Sequence, residues 1–309
     1  MFLGKISGSE QTQRADCREV PVAEQAERAL IGLVALGGMD SEVNRLRRRM
    51  EEARVYGGLK PGQVIRDHFV SGGGWSPESV IIEAGSFQMG SIAFEEGRED
   101  NEGPQHRVTF RRGFAIGQSE VTVAQFRAFV DMAGYRTDAE KHGYSMVYDH
   151  YSGRLARRDD IDWEHDYEGR PARAEFPVVH VSFNDALAYV KWLARNTGKP
   201  YRLPSEAEWE RAARGEVNAI RFPWGNDRRR ELANVWSNPR DGIDGGTKPV
   251  GSYPSLGFGM KDMPGNVWEW CEDRYQAKLS AASAGGAAVR EGWGRVVRGG
   301  SWRRAIDMA

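Results

Sequence analysis

The sequence predicts an α+β fold rich in irregular loops, with a short helical segment at its N-terminus. Three observations carry that expectation. Glycine and tryptophan are both abundant, 37 and 10 residues in 309, a composition suited to loops held by large aromatic anchors rather than to a helical bundle. Apolar alternation comes only in short runs, such as Val80–Ile82 before the turn Gly85-Ser-Phe-Gln-Met-Gly90. Finally, helix starts share one signature, a hydroxyl N-cap followed three residues later by an acidic or amide side chain, so that each side chain satisfies the other residue's backbone N–H.

Residues 1–60 read as a disordered start, to about residue 17, followed by a repeat-like helical segment. Ala26, Ala29, Leu30, Leu33 and Val34, then Val43, Leu46 and Met50 beyond Gly37-Gly38, fall at helical spacing. Such a pair buries its apolar faces poorly by itself, which suits a remnant of a repeat array or a docking segment. Residues 61–78, with Pro61-Gly62 and Ser71-Gly-Gly-Gly74, read as a linker, and residues 79–309 as the main domain. Val108–Phe110 and Phe114–Ile116 are short strands around Gly113.

Thr122-Val-Ala-Gln125 opens the first main helix, whose apolar face is Val123, Phe126, Phe129 and Val130 and whose end is Gly134. Ser182-Phe-Asn-Asp185 opens the second, with Ala186, Val190, Leu193 and Ala194 inward and Gly198 beyond its end. Ser205-Glu-Ala-Glu208, after Pro204, opens the third, which stops before Gly215. The remainder reads as loop punctuated by tryptophans, with residues 277–291 as an insertion loop.

Several function classes are excluded. A formal net charge of −1 gives no general electrostatic grip on nucleic acid, and Arg228-Arg229-Arg230 reads as solvated loop charge. Two cysteines, Cys17 and Cys271, form neither a disulfide framework nor a cysteine metal site. No apolar run approaches a membrane span and no signal-peptide core opens the chain, so as written it is expected to be soluble and cytoplasmic. The histidines, His68, His106, His142, His150, His165 and His180, lack ligand spacing. His142, His150 and His165 share one polar stretch expected to be mobile, and His180, at a strand end, is expected to be a hydrogen-bonded core residue.

The most informative stretch is Asp262-Met-Pro-Gly-Asn-Val-Trp-Glu-Trp270. Gly265 and Asn266 permit positive φ, Trp268 and Trp270 are apolar anchors, and Asp262 and Glu269 can offer hard oxygen ligands. It occurs in order with Ala84-Gly-Ser-Phe-Gln-Met-Gly-Ser91, Glu102-Gly-Pro-Gln-His-Arg-Val-Thr109, Glu120-Val-Thr122, Pro177-Val-Val-His-Val-Ser182, Arg202-Leu-Pro-Ser-Glu-Ala-Glu-Trp-Glu210, Phe222-Pro-Trp-Gly225 and Arg298-Gly-Gly-Ser-Trp302. Together these motifs resemble the formylglycine-generating enzyme, or sulfatase-modifying factor, family over roughly residues 78–302.

The resemblance implies a C-type-lectin-like fold, a small twisted sheet and a few helices with long loops fixed by calcium. Family members include cysteine oxidases acting on sulfatases, iron-dependent sulfur-chemistry enzymes and non-catalytic ligand binders. The oxidase activity rests on a copper-binding thiol pair after the Gly-Gly-Ser-aromatic motif, and soft thiolates suit Cu(I). Matched from the glycines, those positions fall on Arg304 and near Ala309, so neither formylglycine generation nor copper is expected. Iron is not expected either, because the histidines form no cluster. Calcium is the cofactor the resemblance implies. One site would use the Asn234 side chain, the Val235 carbonyl and an acid from Asp241 or Asp244. The other would use Asp262, the Gly265 and Val267 carbonyls and Glu269, a mixed oxygen set that suits Ca²⁺. The alternative is that these side chains cap turns.

The family also continues past Arg-Gly-Gly-Ser-Trp into a final strand that this chain lacks, so the domain is expected to be truncated and Val80–Ile82 to lose its neighbour. The resulting expectation is a non-oxidase, calcium-stabilised module that binds a protein or peptide ligand. Its surface would lie around Trp293, Arg298, Ser301, Trp302, Arg303 and Arg304, with Trp268 and Trp270 nearby but mainly in the core. Paired arginines there suit a carboxylate. The alternative is an oxidoreductase acting on a protein or peptide through a metal site not visible in the motifs.

Overall fold

The computed structural model describes residues 4–6, 59–215, 221–236, 245–279 and 284–306. The helical segment expected before residue 60 lies outside these residues, as do Asp241 and Asp244. In chain order the strands are β1 (Gly4–Ile6), β2 (Val64–Ile65), β3 (Ser79–Ile82), β4 (Gly85–Met89), β5 (His106–Phe110), β6 (Phe114–Gly117), β7 (Tyr144–Asp149), β8 (Arg154–Asp159), β9 (Tyr201–Arg202), β10 (Glu269–Trp270) and β11 (Val297–Arg298). The helices are α1 (Val123–Ala133), α2 (Asp138–His142), α3 (Phe183–Thr197) and α4 (Glu206–Arg214).

One antiparallel sheet runs in the order β2-β3-β6-β1-β9. β3 is buried along its whole length because both of its faces are covered. Val80 and Ile82 join Phe114 and Ile116 in a core with Trp209, Ala212 and Ala213 of α4, while Ile81 and Ala115 pack on the opposite face with Leu59 and Ile65. A second core lies between α1 and α3, where Phe126, Phe129, Tyr189 and Trp192 meet at ring distances of 5.3–5.8 Å. Each such side chain contributes about 1.5–3 kcal/mol by leaving water.

The helix boundaries follow from local chemistry. Thr122, Ser182 and Ser205 each accept the N–H three residues on, and Gln125, Asp185 and Glu208 return the bond. Gly134 and Gly198 close α1 and α3 in the left-handed conformation. The same reciprocal cap at Thr137 and Glu140 starts α2, a single-turn helix absent from the sequence reading.

Four expectations are corrected. The start of the chain is not wholly disordered, because Gly4–Ile6 pairs with β6 on one side and β9 on the other. The Val80–Ile82 strand does not lose its neighbour, because β2 and β6 flank it. That pairing also takes Val64–Ile65 out of the expected linker. The stretch holding His142 and His150 is ordered, with His142 ending α2 and His150 in the turn of the hairpin β7–β8. His150 pairs with Glu168 and His165 with Asp162. His180 is hydrogen-bonded on both ring nitrogens, to Ser145 Oγ at 3.0 Å and to the Asp166 carbonyl at 2.7 Å, as expected. Among the described residues no helix is long and apolar enough to cross a membrane.

The supposed insertion loop, 277–291, also packs into the core at Leu279 and Gly286. Leu279 is buried in the main cluster, Ser205 Oγ donates to the Gly286 carbonyl at 2.7 Å, and Gly286 lies against Phe110 at φ 75°. A Cβ on Gly286 would fall 2.1 Å from the Phe110 ring, whereas Gly285 has nothing within 4 Å. Gly286→Ala is therefore expected to destabilise the protein by about 2–4 kcal/mol through overpacking and left-handed strain. Gly285→Ala should stay within about 0.5 kcal/mol. Urea unfolding of the two variants checks this, and equal effects would return the segment to a loose loop.

Candidate functional site

A cleft of about 340 Å³ opens beside the Gly299-Gly300 turn, with Gly90, Trp209, Trp268, Tyr275 and Arg298 in its lining. Its chemistry begins on α4, where Glu206, Glu210 and Arg214 recur at four-residue spacing and so form one stripe. Arg298, from β11, reaches across to bond Glu206 at 2.9 Å and Glu210 at 2.8 Å. Arg214 Nε bonds Glu210 at 2.8 Å, and the Gly90 N–H donates to the same carboxylate at 2.7 Å. Burial opposes ionisation of Glu210, but Arg298 and Arg214 outweigh it and hold the carboxyl down at about 2. Burial likewise works against the Arg298 charge, yet Glu210 and Glu206 hold its pKa above the usual arginine range. The guanidinium also lies 5.1 Å from the centre of the Trp209 ring. The cleft thus has a rigid, charged and internally neutralised floor.

The expected ligand surface is only partly assembled there. Arg298 lines the cleft but is committed to its two glutamates. Trp268 is 40% exposed, not core as expected, while Trp270 is half-buried and donates to the Val181 carbonyl. Trp293 is exposed and meets Tyr275 edge-on at 4.9 Å. Trp302 turns inward instead, buried against Tyr148 and Tyr167 at 5.1 and 4.8 Å, so it anchors structure rather than offering a contact. Ser301 Oγ accepts the Arg303 N–H at 3.4 Å. Arg303 stacks on Tyr148 and donates to the Gly153 carbonyl, and Arg304 sits 6.0 Å from the Trp268 ring. Glu206, Trp209, Glu210 and Arg214 were absent from the expected site, although the four-residue spacing of Glu206, Glu210 and Arg214 on a capped helix was visible in the sequence.

Behind the cleft, the loop 262–266 folds through three left-handed residues, Asp262, Gly265 and Asn266. It buries Asp262, and Glu120 and Glu269 are buried close by. Asn266 Nδ2 donates to Glu120 at 2.8 Å, and Asn266 Oδ1 accepts from Asn234 Nδ2 at 2.8 Å and from the Lys248 N–H at 2.9 Å. Trp209 Nε1 donates to Glu269 Oε2 at 2.8 Å, and the Gly251 N–H donates to Asp262 Oδ2. Asp262 Oδ1 and Glu269 Oε1 are buried without a hydrogen-bond partner. Burial, reinforced by Asp262, pushes Glu120 up to about 8. Burial also raises Asp262, and burial with Glu120 and Asp262 raises Glu269 well above the carboxylate range. Orphaned carboxylate oxygens beside mutually repelling carboxyls are the donor chemistry of a hard cation, and Asp262 and Glu269 fit that role. At the other expected site the Asn234 amide nitrogen is spent on Gly246 and Asn266, so only the amide oxygen would be open to a metal ion. Among the described residues no three His, Cys, Asp or Glu side chains converge into a ready metal cage.

Cys271, the free cysteine among the described residues, is fully buried. Burial, with Glu206 and Asp273 nearby, pushes its thiol well above the usual range, the opposite of an activated nucleophile.

A family model described as "Sulfatase-modifying factor enzyme 1-like domain" matches residues 73–309. The chain is 37% identical to the formylglycine-generating enzyme of Thermomonospora curvata, over 72% of this chain and 82% of that protein. It is equally 37% identical to the inactive C-alpha-formylglycine-generating enzyme 2 of Bos taurus, over 77% and 79%. The structure of PvdO from Pseudomonas aeruginosa superposes with a TM-score of 0.64 at 33% identity, covering 81% of this chain and 90% of that one. With the motif-bearing loops, the glycine turn and the sheet all in place, the chain belongs to the sulfatase-modifying factor family.

Proposed function

We propose that this chain is a non-oxidase member of its family, a calcium-stabilised module that binds a protein or peptide ligand in the cleft beside Gly299-Gly300. The observation that carries this reading is what stands where the copper-binding thiol pair would. The positions following the glycine turn are Ser301, Trp302, Arg303, Arg304, Ala305 and Ile306, none able to bind copper as a thiolate. Cys271 is sealed and protonated. A relative of comparable identity is itself named inactive, which supports the same conclusion.

Calcium enters as a hard cation held by Asp262, Glu269 and the carbonyls of Gly265 and Val267, supported by the orphaned Asp262 and Glu269 oxygens. When bound, it would neutralise the buried carboxyls and fix the loop. The chain's own groups set the rest. Asn266 ties the loop to Glu120, and Trp209 carries it to the cleft wall. The aromatic and ion-paired lining offers stacking faces and exposed edges of neutralised charge, which suits an extended peptide better than a single anion.

Thermal unfolding with bound-metal counting tests the reading. Calcium at 100 times its Kd is expected to stabilise by about 2.7 kcal/mol over the EDTA-treated protein, with no copper or iron retained and no oxidation of a cysteine peptide. Copper held at fixed stoichiometry with peptide oxidation would overturn it in favour of an oxidoreductase.

The pH dependence follows from the same carboxyls. Glu120, raised to about 8 from 4.5, holds a proton in the folded state that the unfolded chain has lost, so stability declines as pH rises from 4.5 towards 8. Glu210, lowered to about 2, acts the other way, and its contribution disappears as pH falls from 4.5 through 2. In EDTA, Tm should therefore peak near pH 4–5 and fall by on the order of 5 °C by pH 8. The calcium increment should grow with pH over the same range. A calcium increment independent of pH would remove the carboxyls from the binding site.

A further inference from the structure

β1 holds an unusual place in the sheet. It lies between β6 and β9, yet residues 7–58 separate it from the rest of the described domain, and the family match begins only at residue 73. An interior strand of the sheet is therefore supplied by chain outside the matched region. Its pairing is short. Gly4, Lys5 and Ile6 are register partners of Ile116, Ala115 and Phe114, and Gly4 and Lys5 are partners of Arg202 and Tyr201. The walls of the slot are core residues: Phe114, Ala115 and Ile116 are 3%, 2% and 0% exposed, and Tyr201 is 5% exposed.

Without β1, two strand edges would present unpaired N–H and C=O groups towards one another. Such a slot is read by main-chain hydrogen bonds, as in strand addition. Backbone pairing cannot distinguish the strand of the same chain from the identical strand of a second copy. The long sequence separation adds little to the cost of either arrangement, because closure entropy grows only slowly with loop length. We propose that the β6–β9 slot is a strand-exchange interface, in which Gly4–Ile6 of a second copy inserts in trans and two copies swap their N-terminal strands.

The test uses the full chain in a Cys17→Ser background with Lys5→Cys and Ala115→Cys, which are register partners, while Cys271 stays buried. The protein is oxidised with oxidised glutathione at increasing concentration, denatured and separated without reductant. The expected result is an internally linked monomer in dilute solution that gives way to a linked dimer as concentration rises. An excess of a peptide spanning residues 1–8 should suppress both. An internal link alone at every concentration overturns the exchange, and no link above single-cysteine controls overturns the slot itself. Lys5→Pro in the full chain gives an independent reading. It removes a ladder donor, so Tm should fall and the wild-type peptide, but not its proline version, should restore it. An unchanged Tm would also overturn the proposal.

Discussion

The side-chain amide of Asn266 is the contact on which the loops depend. It donates to Glu120 after β6, and its oxygen accepts from Asn234 and from the Lys248 backbone. The next residue's N–H, that of Val267, also reaches Glu120, at 3.3 Å. Three stretches far apart in sequence are thereby fixed to one left-handed residue that is 1% exposed. A fold with this much irregular backbone needs such hubs, since loop N–H and C=O groups have no ladder to satisfy them. A side chain with neither donor nor acceptor at this position would take one bond from the buried Glu120 carboxyl, one from the Asn234 amide and one from the Lys248 N–H.

α4 couples that hub to the cleft. One of its faces sends Glu206 and Glu210 to Arg298, and Trp209 lines the cleft while donating to Glu269. The two charge systems differ in kind. In the cleft, Glu206 and Glu210 each have a guanidinium partner, and Arg298 and Arg214 hold Glu210 ionised. Behind it, among the described residues, no guanidinium is paired with Glu120, Asp262 or Glu269, and burial pushes these carboxyls towards the protonated form. An ion-paired floor and a back wall of crowded carboxyls therefore share one helix.

Much of this was legible in the sequence wherever the determinants are local. Thr122, Ser182 and Ser205 announced their helices because a cap and its partner lie three residues apart. The turn at Gly265-Asn266 was legible because few residues tolerate positive φ. Burial of the tryptophans was not. Trp302 is enclosed by Tyr148 and Tyr167 and Trp268 is left open, and nothing within ten residues of either decides that outcome. The Ala-, Ser- and Gly-rich run at 277–291 read as an insertion loop because small residues leave no hydrophobic signature, yet Gly286 is small so that Phe110 can reach it. β1 escaped notice because three residues are too few to show a period. The hairpin β7–β8 did so because its outer face is polar along most of its length.

The sealed position of Cys271 has a further consequence. Its thiol is fully shielded within the main core, so an alkylating reagent can reach it only when that core opens. The rate at which the native protein is modified at this one residue then measures how often the core breathes, and under fast reclosing it tracks the equilibrium population of the open form. The chain carries an internal clock for its own opening, at a place where no probe would need to be introduced.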